Sequence, residues 1–246
     1  MSAGPSGVQE YDANTGVLMK TIDTSEMQAN NGRGVVLVGN IMYYTEATSG
    51  NVYAYNVATN TDLGVAFTVK GASGLATMAY DGTNLYLGDY SGTNNVYKYS
   101  TAGALLQTIP LSLCTSYCDG LEYAQGHLVS NEQDGGYGNP SSYDQYTLNG
   151  TLTKKGLITT SFGASGIAFD GTDYWVSDIY HGKLDEYNAS GAFVGVTTLQ
   201  DPTDLIEDLS FNYATVLHIT PEPGSLFLLG AGLLGFGFVA RRRRRT

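Results

Sequence analysis

Ala79-Tyr80-Asp81-Gly82-Thr83-Asn84-Leu85-Tyr86-Leu87-Gly88-Asp89 returns 89 residues later as Ala168-Phe169-Asp170-Gly171-Thr172-Asp173-Tyr174-Trp175-Val176-Ser177-Asp178. In both copies an apolar strand runs into an Asp-Gly turn. A second strand then alternates large apolar residues and closes on an aspartate, the pattern of a hairpin with a primed turn. Each copy continues into a third strand ending in tyrosine, Asn95-Val96-Tyr97-Lys98-Tyr99 and Lys183-Leu184-Asp185-Glu186-Tyr187, and a fourth is expected over 104–109 and 192–199.

Weaker copies fill the intervals. One is Gly34-Val35-Val36-Leu37-Val38-Gly39-Asn40-Ile41-Met42-Tyr43-Tyr44 with Val52-Tyr53-Ala54-Tyr55. The other is Gly120-Leu121-Glu122-Tyr123-Ala124-Gln125-Gly126-His127-Leu128-Val129 with Tyr143-Asp144-Gln145-Tyr146. The turns at Asn40, Gly82, Gly126 and Gly171 are spaced by 42, 44 and 45 residues. That period, with four strands per unit, predicts an all-β protein, a β-propeller. Residues 8–18 read as the third and fourth strands of a further unit, and 205–213 as its first. The two termini therefore close one blade together, which gives about five four-stranded blades in a domain spanning 8–218. The repeat resembles the NHL and SMP-30/gluconolactonase-like propellers in its Asp-Gly-x-x-hydrophobic-x-hydrophobic-x-Asp core and its tyrosine-ended third strand. The likeness rests on a generic motif, so function must come from the site.

Composition agrees with many short strands joined by tight turns: 32 Gly and 19 Tyr in 246 residues. Residues 1–220 hold 22 Asp and Glu against 7 Lys and Arg, a net charge of −15. Such a surface repels phosphate backbones and argues against nucleic acid as a partner.

The chain's last tenth is of another kind. Pro221-Glu222-Pro223 precedes a 17-residue uncharged run, 224–240, and then Arg241, Arg242, Arg243, Arg244 and Arg245. At 17 residues the run sits at the lower limit for a helix that crosses a bilayer core of about 30 Å. The arginines resist translocation and hold the far end in the cytoplasm, leaving everything before Pro221 on the other side. This tail, 221–245, resembles the PEP-CTERM sorting signal of Gram-negative bacteria in its tripeptide, transmembrane helix and arginine cluster. The resemblance implies an exported protein, anchored in the inner membrane through that helix. An exosortase, a membrane-embedded cysteine protease or transpeptidase, would cleave it near the tripeptide and deliver it to the cell envelope or extracellular matrix. Residues 1–11 have neither a basic start nor an apolar stretch, so a secretory signal upstream of a misplaced start codon is expected.

Candidate chemistry lies where the second strands end, at Glu46, Asp89, Asn131 and Asp178, with Asp119 and Glu207 or Asp208 added from strand starts near the axis. Equivalent positions of a closed ring share one rim, and hard oxygen ligands mixing carboxylate with amide suit Ca²⁺ better than Zn²⁺. In the SMP-30-like lactonases a glutamate, an asparagine and an aspartate from different blades hold the metal, and the resemblance offers Glu46, Asn131 and Asp178 for that role. The competing reading is structural. Asp89 precedes Ser91-Gly92 and Asp178 precedes His181-Gly182, and an Asp just before Gly commonly accepts turn amide hydrogen bonds.

Cys114 and Cys118 are the only cysteines and are expected to form a small disulfide clip in an oxidising compartment. His127, His181 and His218 form no triad, and serine-nucleophile, phosphate-loop and zinc-protease motifs are absent. Tyr90, Tyr137 and Tyr180 fall in loops where they would stack on sugar rings. The Gly-rich insertion 131–142 is longer than its sister loops and marks a binding rim. The expected function is a non-catalytic binding or structural module of the envelope or exopolysaccharide matrix. Two rivals stand beside it, a calcium-type lactonase or lyase and an adhesin for protein.

Overall fold

The computed structural model describes residues 1–4, 7–90, 93, 95–114, 118–132, 139–202 and 205–216. The chain opens with β1 (Ser2–Gly4), β2 (Gly7–Tyr11), β3 (Leu18–Ile22) and a short helix α1 (Ser25–Asn30). Four complete sheets follow. Blade 1 holds β4 (Gly32–Val38), β5 (Ile41–Glu46), β6 (Asn51–Asn56) and β7 (Thr61–Thr68). Blade 2 holds β8 (Leu75–Tyr80), β9 (Asn84–Asp89), β10 (Asn95–Ser100) and β11 (Leu105–Pro110). Blade 3 holds β12 (Cys118–Ala124), β13 (His127–Glu132), β14 (Ser142–Tyr146) and β15 (Leu152–Thr159). Blade 4 holds β16 (Ala164–Phe169), β17 (Asp173–Asp178), β18 (Lys183–Asn188) and β19 (Phe193–Thr198). Blade 5 has the order β20-β1-β2-β3, with β20 (Asp208–Leu209) returning from the far end of the chain before α2 (Tyr213–Val216).

The protein is therefore a five-bladed propeller of four-stranded antiparallel sheets, closed by both termini. The third strand of blade 5 and its first fall within 8–18 and 205–213 nearly as expected, whereas the fourth begins only at Leu18 and runs to Ile22, past the expected bound. The second strand of blade 5, unassigned in the sequence, is Ser2–Gly4, paired with Gln9, Val8 and Gly7 on one side and with Leu209 and Asp208 on the other. Three small residues carry no alternation, so no pattern announced it. The transmembrane helix and arginine cluster expected over 224–245 lie outside the described residues. Among the described ones, no helix is long and apolar enough to cross a membrane.

The Asp-Gly turns show why the repeat is legible. Gly82 and Gly171 have φ of 93° and 102°, a left-handed conformation that costs any other residue. Asp81 Oδ1 accepts from the amides of Thr83 (2.9 Å) and Asn84 (2.7 Å), and Asp170 Oδ1 accepts from Thr172 and Asp173, both at 2.8 Å. The other carboxylate oxygen takes the polar tip of the aromatic two residues into the next strand: Tyr86 Oη at 2.8 Å, Trp175 Nε1 at 3.0 Å. One carboxylate thus fixes both the turn and a buried aromatic.

Five apolar clusters fill the five interfaces between neighbouring blades. Tyr44, Tyr86, Tyr143, Tyr146 and Tyr174 are among the largest fully buried side chains. Large side chains of this kind contribute about 1.5–3 kcal/mol each on burial, so the interfaces, not the isolated sheets, hold the ring. The upper face carries the starts of the first strands and the ends of the second. The lower face carries the turns between first and second strands, and it is there that α2 ends the described chain.

Candidate functional site

Strand register decides which rim positions correspond. Glu46, Asp89 and Asp178 pair with Gly32, Leu75 and Ala164 at the start of their first strands. In blade 3 that level belongs to Glu132, which pairs with Cys118, so Asn131 sits one step lower than the alignment of sequences places it. Its true counterparts are Thr45, Gly88 and Ser177. The hairpin of blade 3 is tighter than those of blades 2 and 4, with Ala124 facing His127 across Gln125 and Gly126, which shifts the second strand.

That lower level has a structural duty. The first strands of blades 1 to 4 carry a register irregularity near their starts, which leaves an amide without a ladder partner. Thr45 Oγ1 accepts from the Gly34 amide at 2.9 Å, Ser177 Oγ from Gly166 at 2.9 Å, and Asn131 Oδ1 from Gly120 at 2.6 Å. Asn131 Nδ2 also donates to the Ala164 carbonyl at 2.8 Å, tying blade 3 to blade 4.

The carboxylates above this level close their own loops. Glu46 accepts from Thr48 N and Thr48 Oγ1, both at 2.6 Å, and from Ser49 Oγ. Asp89 accepts from Thr93 Oγ1 (2.6 Å) and Tyr97 Oη (3.3 Å). Asp178 pairs through both oxygens with His181 Nδ1, at 2.8 and 2.9 Å. Among the described residues, no three His, Cys, Asp or Glu side chains come together as a metal site.

The groups that do converge lie on the axis. Arg33, in the first strand of blade 1, places Nη1 2.6 Å from Glu207 Oε2 and 3.5 Å from Asp119 Oδ1. Nη2 donates to Tyr90 Oη at 3.3 Å, and the guanidinium carbon lies 4.5 Å from the Tyr90 ring centroid. Burial pushes Glu207 up to about 7, with Arg33 opposing that shift and Asp119 adding to it. Asp119 is likewise raised by burial against the pull of Arg33. Burial works against the Arg33 charge, but Glu207 and Asp119 outweigh it. Sequence reading found Asp119 and Glu207 and missed Arg33. The signal was present, since Arg33 is the only arginine before the terminal cluster.

Below them, Asp208 Oδ2 accepts from the amides of Val35 (3.0 Å) and Met78 (3.2 Å), and Oδ1 accepts from Thr77 Oγ1 at 3.3 Å. Ser210 Oγ accepts from Leu37 N at 2.9 Å. Tyr213 Oη donates to Glu122 Oε2 in blade 3 at 2.5 Å, and burial raises this carboxyl well above the usual carboxylate range. The segment from Glu207 to Tyr213 thus runs down the axis as a post bonded to the surrounding blades.

Concavities among the described residues include an open groove of about 420 Å³ on blade 4, lined by Ser161, Phe162, Asp178, His181, Lys183, Asp185, Phe193 and Val196. Burial and the nearby Asp178 raise Asp185 there, against Lys183. A smaller pocket of about 150 Å³ between blades 4, 5 and 1 is lined largely by apolar groups, Trp175, Phe211 and Leu184 among them.

Of the remaining expectations, Cys114 is buried and disulfide-bonded, while the side chain of Cys118 lies outside the described residues. His127 Nδ1 sits 3.0 Å from the Gln125 carbonyl oxygen, beside its own turn. Tyr180 N donates to Asp178 Oδ1 at 3.4 Å. Tyr137 with residues 133–138 of the 131–142 insertion, His218, Pro221, Glu222, Pro223 and Arg241–Arg245 lie outside the described residues.

Similarities to known proteins fall into two parts. The fold is shared with a chain of the nidogen/laminin complex, at 9% identity and a TM-score of 0.59, covering 85% of this chain and 96% of that one. It is also shared with the glutaminyl cyclase of Myxococcus xanthus, at 15% identity and a TM-score of 0.54, covering 68% and 70%. At such identities the likeness is one of architecture. No curated protein matches the sequence. Residues 220–245 match the PEP-CTERM protein-sorting motif, which implies an exported propeller with a membrane-anchored C-terminus before exosortase processing.

Proposed function

We propose that this exported propeller is a non-catalytic binding module of the cell envelope or exopolysaccharide matrix, and that its ligand surface is the upper face. The supporting observation is how the upper carboxylates are used. Glu46, Asp89 and Asp178 satisfy their own loops, and Asp119 and Glu207 are occupied by Arg33. Among the described residues these carboxylates are engaged with protein groups, and the Asp178–His181 pair lines the open groove of blade 4. That groove runs from Phe162, His181 and Lys183 at the upper rim past Asp185 down the outer strand to Phe193. Aromatic faces flanked by hydrogen-bonding groups suit the alternating apolar and hydroxyl surfaces of a polysaccharide.

The test is cosedimentation of the purified protein with polymer secreted by the producing cells, comparing wild type with Phe193→Ala and His181→Ala. Binding by wild type that weakens several-fold in both variants is the expected result. Retention by envelope proteins and not by polymer points to the adhesin reading. Calcium-dependent turnover of lactones would overturn the non-catalytic reading outright.

A further inference from the structure

We infer that the anchored protein holds its lower face toward the bilayer and presents the upper face, with the Arg33 cluster and the Asp178–His181 end of the blade 4 groove, away from it. The inference rests on membrane anchoring through 220–245, and it comes from where the chain leaves the ring. The segment from Glu207 onward enters the axis at the top, bonded to Arg33, and descends past Val35, Met78 and Leu37. Its Tyr213 hydroxyl reaches Glu122 across the axis. Asn212 Oδ1 accepts from the Gly39 amide at 2.9 Å, at the lower turn of blade 1. At the lower turn of blade 4, a Cβ added to Gly171 would lie 3.5 Å from Val216 Cγ1. With contacts to opposite sides of the ring, the exit lies near the centre of the lower face.

Only seven residues, 217–223, separate Val216 from the apolar run. Fully extended, they span at most about 25 Å. A blade of four strands reaches roughly 15–20 Å outward from the axis, and strands of six residues give a height of about 20 Å. An upside-down ring would need its tether to travel from the centre to the rim and then up the side, a path of about 40 Å. The tether is too short for that path. The lower turns carry both signs, Asp12, Asp81, Asp170 and Asp173 beside Lys20, Lys98 and Lys154, so the orientation follows from the central tether, which excludes the inverted ring.

The full-length protein in phosphatidylcholine vesicles, labelled at one introduced thiol, tests this through energy transfer to a headgroup-labelled acceptor lipid. Thr172→Cys marks the lower face and Ser73→Cys the upper, both at exposed loop positions. Unsubstituted protein is the labelling blank, and unchanged melting temperatures confirm that both variants are folded. Transfer at least about twofold stronger from position 172 is expected. Equal transfer, or stronger transfer from position 73, overturns the orientation while leaving anchoring intact. Failure of the protein to float with vesicles overturns the anchoring itself.

Discussion

On the axis, Glu207 and Asp208 are held by groups from blades 1, 2 and 4, whereas at the rim Glu46 and Asp178 are held by residues two or three places along their own loops. The same residue type closes the ring in one place and a single turn in the other. Axial carboxylates have lost their water and depend on distant partners, so removing a partner leaves an uncompensated buried group. Rim carboxylates have neighbours that arrive with the turn.

The difference is sharpest for Arg33→Met. It strands Glu207 and Asp119 in the interior, and a loss of about 3–5 kcal/mol is expected from urea unfolding near pH 8. The loss should shrink near pH 5, where Glu207 takes up its proton. A loss below about 1 kcal/mol at pH 8 would break the comparison. Wild type itself should be pH-dependent. Glu207 has a folded pKa of about 7 against an ordinary 4.5, so the folded state binds more protons in that window. Stability is then greatest below about pH 4.5 for this group and falls as pH rises through 7, by on the order of 3 kcal/mol. Glu207→Gln should flatten that slope between pH 5 and 8. At the lower end, Tyr213→Phe removes the donor to Glu122 and should cost about 1–3 kcal/mol. Burial already favours the uncharged Glu122 carboxyl, so this loss should change little between pH 5 and 7.

The rim was far more legible in the sequence than the axis, and the reason is locality. Asp81-Gly82 and Asp170-Gly171 announce blades because turn, cap and aromatic lie within five residues, and their spacing repeats. The fourfold repeat therefore led to the ring, and the half-units at the ends to its closure. Ser2–Gly4 escaped because a strand defined only by its neighbours has no pattern of its own. Arg33 escaped because its partners are 86 and 174 residues away. Asn131 was placed one level too high because motif alignment does not register a tighter turn.

Asp178→Asn carries the smallest expected effect and bears on the rim most directly. The partner His181 is largely exposed, at 65% of its side chain, and pairs of this kind contribute about 1 kcal/mol or less. The amide keeps one oxygen acceptor for His181 Nδ1, so the loop should survive with a melting temperature lowered by a few degrees at most. If Asp178 serves only its turn, millimolar calcium should shift the melting temperatures of wild type and variant alike by less than about 1 °C. A calcium-dependent rise in wild type that disappears in the variant would make this carboxylate a ligand. The rim would then resemble the axis in drawing on groups from several blades, and the contrast between a closing axis and self-sufficient loops would fail at the position where it is easiest to test.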